Sequence, residues 1–148
     1  MDKEKTIFDN DNFFELFKFN SKPEELSTDT LAYIGDSVYS LYFKLVTLNK
    51  ARRRVNFQHE LAKNYVSHTS QFQSYENIKN ELNESEISLI RRGYNSKGAK
   101  KRGSNEEYRV STGLETLVGY LFITKNIDRL KYLLERIEED VSSRKKRT

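Results

Sequence analysis

The chain has 148 residues, 36% of them apolar, and 26 Lys and Arg against 22 Asp and Glu give it a net charge of +4. That length suits one domain with its own core, and the absence of Cys excludes disulfides, thiolate metal sites and a Cys nucleophile. No apolar run approaches the ~20 residues that cross a bilayer, the charged start Met1-Asp2-Lys3-Glu4-Lys5 is no signal peptide, and a single Pro argues against a turn-rich β sandwich.

The expectation is therefore a soluble, cytoplasmic, single-domain protein over residues 1–148, with a core from about 27 to 141 and a basic tail at 142–148. After Pro23, residues Leu31, Ile34, Val38, Leu41, Tyr42, Leu45 and Val46 recur at i, i+3, i+4 spacing. They predict a helix opening near Ser27 or Asp29 and closing near Asn49. A second helix is predicted from about Phe57 to Asn77, with Leu61, Ala62, Tyr65, Val66, Thr69 and Phe72 on one stripe. Asn83 followed by Glu86 reads as an N-cap with its reciprocal partner, and Gly93 is placed to end that short helix. Ser104 and Glu107 repeat the capping pattern before a helix that reaches about Lys125, striped by Leu114, Leu117, Val118, Leu121 and Phe122. Asn126 can cap a last helix carrying Ile127, Leu130, Leu134, Ile137 and Val141. No segment alternates with period two, so the predicted class is all-α.

Basic side chains gather in three places. Arg52, Arg53 and Arg54 form one cluster, and Arg144, Lys145, Lys146 and Arg147 another. Between them Arg91, Arg92, Lys97, Lys100, Lys101, Arg102 and Arg109 face only Glu106 and Glu107. Clusters apart in sequence can merge into one face that follows a phosphate backbone. The middle cluster contains Gly93, Gly98 and Gly103, so it can mould around phosphates, with an attraction that weakens as salt rises. A solvated charge run is the plain alternative, and the favoured one for the C-terminal cluster.

Two carboxylates stand in apolar surroundings: Asp36, mid-helix after Gly35, and Glu115, between Gly113 and Gly119. An unpaired buried carboxylate is expensive, so each calls for a cation, a hydrogen-bond donor or a metal. Gly35, Gly113 and Gly119 would let helices or a ligand backbone approach closely. Two carboxylates from facing helices make a hard-oxygen site suited to Mg²⁺, which keeps several waters and binds substrate phosphate. A pair of hydrogen-bonded acids that fixes helix register is the structural alternative.

The same residues carry a resemblance. Leu31-Ala32-Tyr33-Ile34-Gly35-Asp36-Ser37-Val38-Tyr39 resembles the signature helix of ribonuclease III endonuclease domains. Thr112-Gly113-Leu114-Glu115-Thr116-Leu117-Val118-Gly119 resembles the family's second motif. The bacterial Mini-ribonuclease III subgroup matches best, through Leu31-Ala32-Tyr33-Ile34-Gly35-Asp36, Arg92-Gly93-Tyr94-Asn95 and Tyr108-Arg109-Val110-Ser111-Thr112. The resemblance covers roughly Leu31 to Phe122. It implies a ribonuclease III-like helical bundle that acts as a homodimeric, Mg²⁺-dependent endonuclease on double-stranded RNA and leaves 5′-phosphate and 3′-hydroxyl ends. Asp36 and Glu115 then become the catalytic, metal-binding carboxylates. Ala32 and Thr112 stand where full-length ribonuclease III has two further acids, as in the subgroup. Fewer direct ligands imply a metal held largely through waters and the scissile phosphate.

Further expectations follow from the resemblance. Thr112, one turn before Glu115, could orient a water, although a bond to its own helix backbone is the plainer role. Arg91, Arg92, Asn95, Lys97, Lys100, Lys101, Arg102, Tyr108 and Arg109 become the candidate RNA-binding residues. Tyr33, Tyr39, Tyr42 and Phe43 become candidates for a dimer interface, with ordinary core packing as the alternative. The chain has no room for the double-stranded-RNA-binding domain that ordinary ribonuclease III appends. The subgroup also implies maturation of a large-subunit (23S) ribosomal RNA precursor stem, with a ribosomal protein as candidate helper and no membrane partner. A non-catalytic double-stranded-RNA-binding module is the competing function. A stretch resembling His59…Val66-Ser67…Gln71 occurs in the subgroup, with a structural or RNA-contact role favoured over catalysis, and Ser37 and Ser111 lack a nearby His base.

Overall fold

A computed structural model describes residues 15–48, 54–101 and 105–146, so Arg52, Arg53, Arg102 and Ser104 lie outside the described residues. Seven α-helices follow in order: α1 (Thr28–Val46), α2 (Val55–Val66), α3 (His68–Ile78), α4 (Glu84–Tyr94), α5 (Lys97–Lys100), α6 (Glu106–Ile123) and α7 (Ile127–Lys146). No strand occurs among the described residues. The all-α expectation holds.

Local chemistry sets the ends of these helices. Ser27 Oγ accepts from the Thr30 N–H at 3.1 Å and starts α1. The Asn83/Glu86 capping box starts α4, with both reciprocal bonds formed. The predicted helix from Phe57 to Asn77 is instead two. Ser67 adopts an extended ψ of 153° and its Oγ caps α3 by accepting from the Ser70 N–H at 3.2 Å. Its short side chain competes with the helix for backbone bonds, which an apolar stripe does not reveal. α6 is capped by Asn105, whose Oδ1 accepts from the Tyr108 N–H at 2.9 Å. α4 runs past Gly93 to Tyr94. Between α6 and α7, Lys125 takes the left-handed conformation (φ 61°), and Asn126 N–H donates to the Leu121 carbonyl at 2.9 Å. That is the geometry of a Schellman stop.

α6 is the central rod, buried along most of its length and packed by α1, α3 and α4. Tyr39 and Phe43 of α1 are fully buried, and Phe43 stacks on Tyr65 with ring centroids 4.7 Å apart. These two aromatics therefore belong to the subunit's own core and leave the set of interface candidates. Tyr33 is 75% exposed and Tyr42 partly buried. The helix periodicity read from Leu31 to Val46 splits in three dimensions. Leu31, Ala32, Gly35, Tyr39 and Phe43 face the core, while Leu41 and Leu45 remain more than half exposed. The expected basic tail is also helix as far as Lys146.

The tightest packing is backbone on backbone. A Cβ on Gly35 would lie 1.7 Å from the Glu115 carbonyl oxygen and 2.8 Å from the Gly119 nitrogen, and one on Gly119 would lie 2.0 Å from the Leu31 carbonyl oxygen. A second such contact joins α4 to α6, where a Cβ on Gly93 would lie 2.7 Å from the Gly113 Cα. Helix propensity alone predicts that Gly119→Ala stabilises by about 1 kcal/mol. The crossing predicts the opposite sign, a net loss of about 2 kcal/mol or more and a melting temperature lower by several degrees. Gly98→Ala is the control, because its nearest neighbour is only the end of the Asp29 side chain at 2.8 Å. Thermal melts of both variants decide it, and a stabilised Gly119→Ala protein rules the crossing out.

Candidate active site

The α1–α6 crossing determines which side chains meet. Asp36 directly follows Gly35, and Glu115 is the residue whose carbonyl Gly35 packs upon. Asp36 lies near enough to Glu115 to act on its carboxyl group, through its charge and as a hydrogen-bond partner. Glu115 is largely buried, whereas Asp36 is exposed to solvent, so the pair forms an acid patch open on one side. The apolar sequence around Asp36 had suggested a more enclosed position. Ala32, Gly35 and Tyr39 of α1 face the core, and position 36 lies at the edge of that face, beside the exposed Tyr33 and Ser37. Burial, followed by the nearby Asp36 charge, pushes the Glu115 carboxyl up to about 8.

Among the described residues no Lys, Arg or His forms an ion pair with either acid. The one other polar partner is Gln71 of α3, whose Nε2 donates to Glu115 Oε2 at 3.1 Å. No cluster of three or more His, Cys, Asp or Glu occurs among the described residues. Two unneutralised carboxylates, one facing solvent, fit a hard divalent cation that keeps part of its water shell. They do not fit a dedicated all-protein cage.

The other site candidates surround this pair unevenly. Thr112 is buried, and its hydroxyl donates to the Tyr108 carbonyl at 3.0 Å, the plainer of its two expected roles. Tyr108 packs edge-on against His68 with centroids 4.7 Å apart, which gives His68 a place at the α3–α6 junction. Arg109 is half-buried and fastened to the end of α4. Its Nε donates to the Tyr94 carbonyl at 3.0 Å, one terminal nitrogen donates to Asn95 Oδ1 at 3.2 Å, and the guanidinium lies 4.1 Å from the Tyr94 ring centroid. Arg91, Arg92, Lys97, Lys100 and Lys101 are exposed, and the first three line a shallow depression with Asn95 and Asp29. Asp29 Oδ1 accepts from the Gly98 N–H at 3.2 Å and so ties the start of this basic segment to α1. Arg144 does not belong to a free tail. It bonds Asp140 Oδ2 at 2.9 Å and Ser74 Oγ at 2.9 Å.

Sequence reasoning noted Gln71 but could not give it a partner. An amide at that position signals nothing until the fold places it against an acid 44 residues away. The raised Glu115 carboxyl has a consequence for stability. An unfolded Glu loses its proton near pH 4.5 and the folded one near 8, so metal-free native protein loses stability as pH rises through that window. Glu115→Gln removes the loss, up to about 3 kcal/mol at pH 7. In EDTA the variant should melt above wild type at pH 7.5, with the gap closing toward pH 4.5. Coincident melting curves at pH 7.5 would exclude a desolvated acid.

Residues 29–126 match the ribonuclease III domain. Over 135 residues the chain is 50% identical to the Mini-ribonuclease 3 of Kosmotoga olearia, covering 91% of this chain and 93% of that protein. The Mini-ribonuclease 3 of Desulfitobacterium hafniense is 36% identical over 80% of this chain and 76% of its own length. That of Staphylococcus aureus is 33% identical over 78% and 89%. A crystal structure of a Fusobacterium nucleatum protein has the same fold, with a TM-score of 0.70 over 81% of this chain and 98% of that one, at 23% identity.

Proposed function

The chain belongs to the ribonuclease III family, and from that premise we propose that it cuts double-stranded RNA with Mg²⁺ held between Asp36 and Glu115. It is an RNA endonuclease. The proposed substrate is a stem of the large-subunit (23S) ribosomal RNA precursor, presented with a ribosomal protein and processed in the cytoplasm. The observation that carries the reading is the meeting of Asp36 and Glu115 at the glycine crossing with no cationic side chain to neutralise them.

A divalent ion at this pair supplies charge neutralisation at the scissile phosphate and a more acidic water as the attacking group. The chain's own residues do the rest. Glu115 offers a desolvated carboxylate that favours a cation over bulk water, and Asp36 offers a second from the solvent side, where a phosphate can approach. Arg91, Arg92, Lys97, Lys100 and Lys101 supply positive charge to phosphates flanking the cut. A-form RNA presents phosphates and 2′-hydroxyls in a wide minor groove, so recognition through such residues is by shape. The guanidinium of Arg109 serves this surface indirectly by holding Tyr94 and Asn95 at the end of α4.

Incubating a duplex RNA with the protein in Mg²⁺ or EDTA tests the reading. Cleavage should occur only in Mg²⁺ and fall at least about 100-fold in Asp36→Asn, with duplex binding retained. Binding without cleavage under every divalent ion would leave a non-catalytic binding module.

Two strands call for two active sites, and a second copy of the chain is the proposed partner. Ile34, Val38, Leu41, Leu45, Phe122 and Leu134 line an open apolar groove of about 510 Å³ on the outer face of α1. Leu41 is 53% and Leu45 58% exposed, an apolar patch that water penalises in an isolated subunit. Leu41→Asp with Leu45→Asp should convert a dimer to a monomer by analytical ultracentrifugation and abolish cutting of both strands in one encounter. A double variant that still sediments as a dimer excludes this face.

A further inference from the structure

Gln71 is 1% exposed, and both hydrogens of its side-chain amide are committed. Nε2 donates to the Val66 carbonyl at 3.0 Å and to Glu115 Oε2 at 3.1 Å. Its Oε1 is the one buried side-chain polar atom among the described residues without a hydrogen-bond partner. Flipping the amide would aim that oxygen at two acceptors, so the donors dictate the orientation and the acceptor is sacrificed to it. An apolar residue of the same size would free the core of this unpaired oxygen but would leave the Val66 carbonyl and Glu115 Oε2 without their shared donor, so the amide serves a helix end and the acid together.

The surrounding fold keeps this amide in place. The Val66 carbonyl is available because α2 ends there, and the extended Ser67 prevents the helix from continuing through it. The same buried face of α3 is clamped to α7. Arg144 donates to Ser74 Oγ at 2.9 Å and to Ser70 Oγ at 3.2 Å, and Asp140 accepts from Ser74 Oγ at 3.1 Å and from Asn77 Nδ2 at 2.8 Å. Gln71 therefore has no freedom to follow Glu115, and Glu115 must come to it. A neutral donor also suits the task. It steadies one carboxylate oxygen without contributing positive charge, whereas a Lys or Arg there would neutralise the acid pair and compete with a cation.

We infer that Gln71 is a positioning residue for divalent-ion binding, pinning Oε2 of Glu115 so that its carboxylate is presented to an ion shared with Asp36. The inference rests on the carboxylate-pair reading above and goes beyond it by assigning the outer support of that pair to α3.

The test uses full-length protein without RNA, with Mn²⁺ binding read from water-proton relaxation. Wild type should bind and Asp36→Asn should not, and this arm tests the carboxylate pair itself. Gln71→Met keeps the volume and removes both donors. It should weaken Mn²⁺ binding about 10-fold and raise the Mg²⁺ concentration for half-maximal cleavage in proportion. Duplex affinity in EDTA and cleavage at saturating Mg²⁺ should stay within about 3-fold of wild type. If Gln71→Met binds Mn²⁺ like wild type while Asp36→Asn does not, the inference is overturned and the carboxylate pair stands. If wild type shows no binding that Asp36→Asn removes, both fall. Should Gln71→Met fail to fold, the side-chain amide resonances of Gln71 in wild type give the answer. They should shift on Mg²⁺ titration, and unmoved resonances overturn the role.

Discussion

Everything chemical in this protein depends on two helices touching backbone to backbone. α1 and α6 cross where Gly35 faces the Glu115 carbonyl and Gly119 faces the Leu31 carbonyl, with no room for a single added carbon. Glycine is a poor helix residue on propensity, so each one in mid-helix destabilises its own element by about 1 kcal/mol relative to Ala. That loss is offset by a close approach no other residue permits. The carboxylates next to the crossing share one small volume because the axes are so close. Helices at the usual spacing of roughly 8–10 Å would hold the two side chains further apart.

Bringing two acids together opposes folding, and the structure divides the burden. Asp36 stays in contact with water, and Glu115 takes the desolvation. No cationic side chain relieves the pair among the described residues, although Arg side chains are used freely elsewhere. Arg129 chelates the buried Glu86 through bonds of 2.7 and 2.8 Å, and Arg144 binds Asp140. Where the fold needs only a buried acid to be stable it supplies a guanidinium. At Asp36 and Glu115 it supplies one neutral amide. That contrast is what the proposed metal-binding role of Asp36 and Glu115 rests on.

The polar contacts around the site act mainly by immobilising elements. Arg109 locks the end of α4 to the start of α6, Asp29 holds the first turn of α5 against α1, and the Asp140–Arg144 cluster fixes α3 to α7. These bonds fasten the basic surface and the acid pair to the same rigid rods.

The extent to which this was readable in advance varies with the range of the forces involved. Helix class, the Asn83/Glu86 box and the apolar stripe of α6 are local properties of neighbouring residues, and all were legible. So were Asp36 and Glu115 as a pair, because two motifs flanked by glycine announce a close approach. The break at Ser67 was not legible, since an apolar stripe runs through it and a single serine hydroxyl decides the matter. Nor could the periodicity of α1 say which of its apolar residues, Phe43 or Leu45, face the subunit's own core, because both faces are apolar and only the other helices choose between them. Arg109 and Arg144 read as basic surface and turned out to be half-buried fasteners between helices, a distinction set entirely by what lies across from them. Gln71 is the clearest case. Sequence alone determined that this chain would fold as helices, because that follows from spacing along the chain, and it singled out the two acids by their glycine-flanked apolar surroundings. Tertiary structure alone decided what stands behind the acids, because a hydrogen bond across 44 residues exists only once the helices have packed.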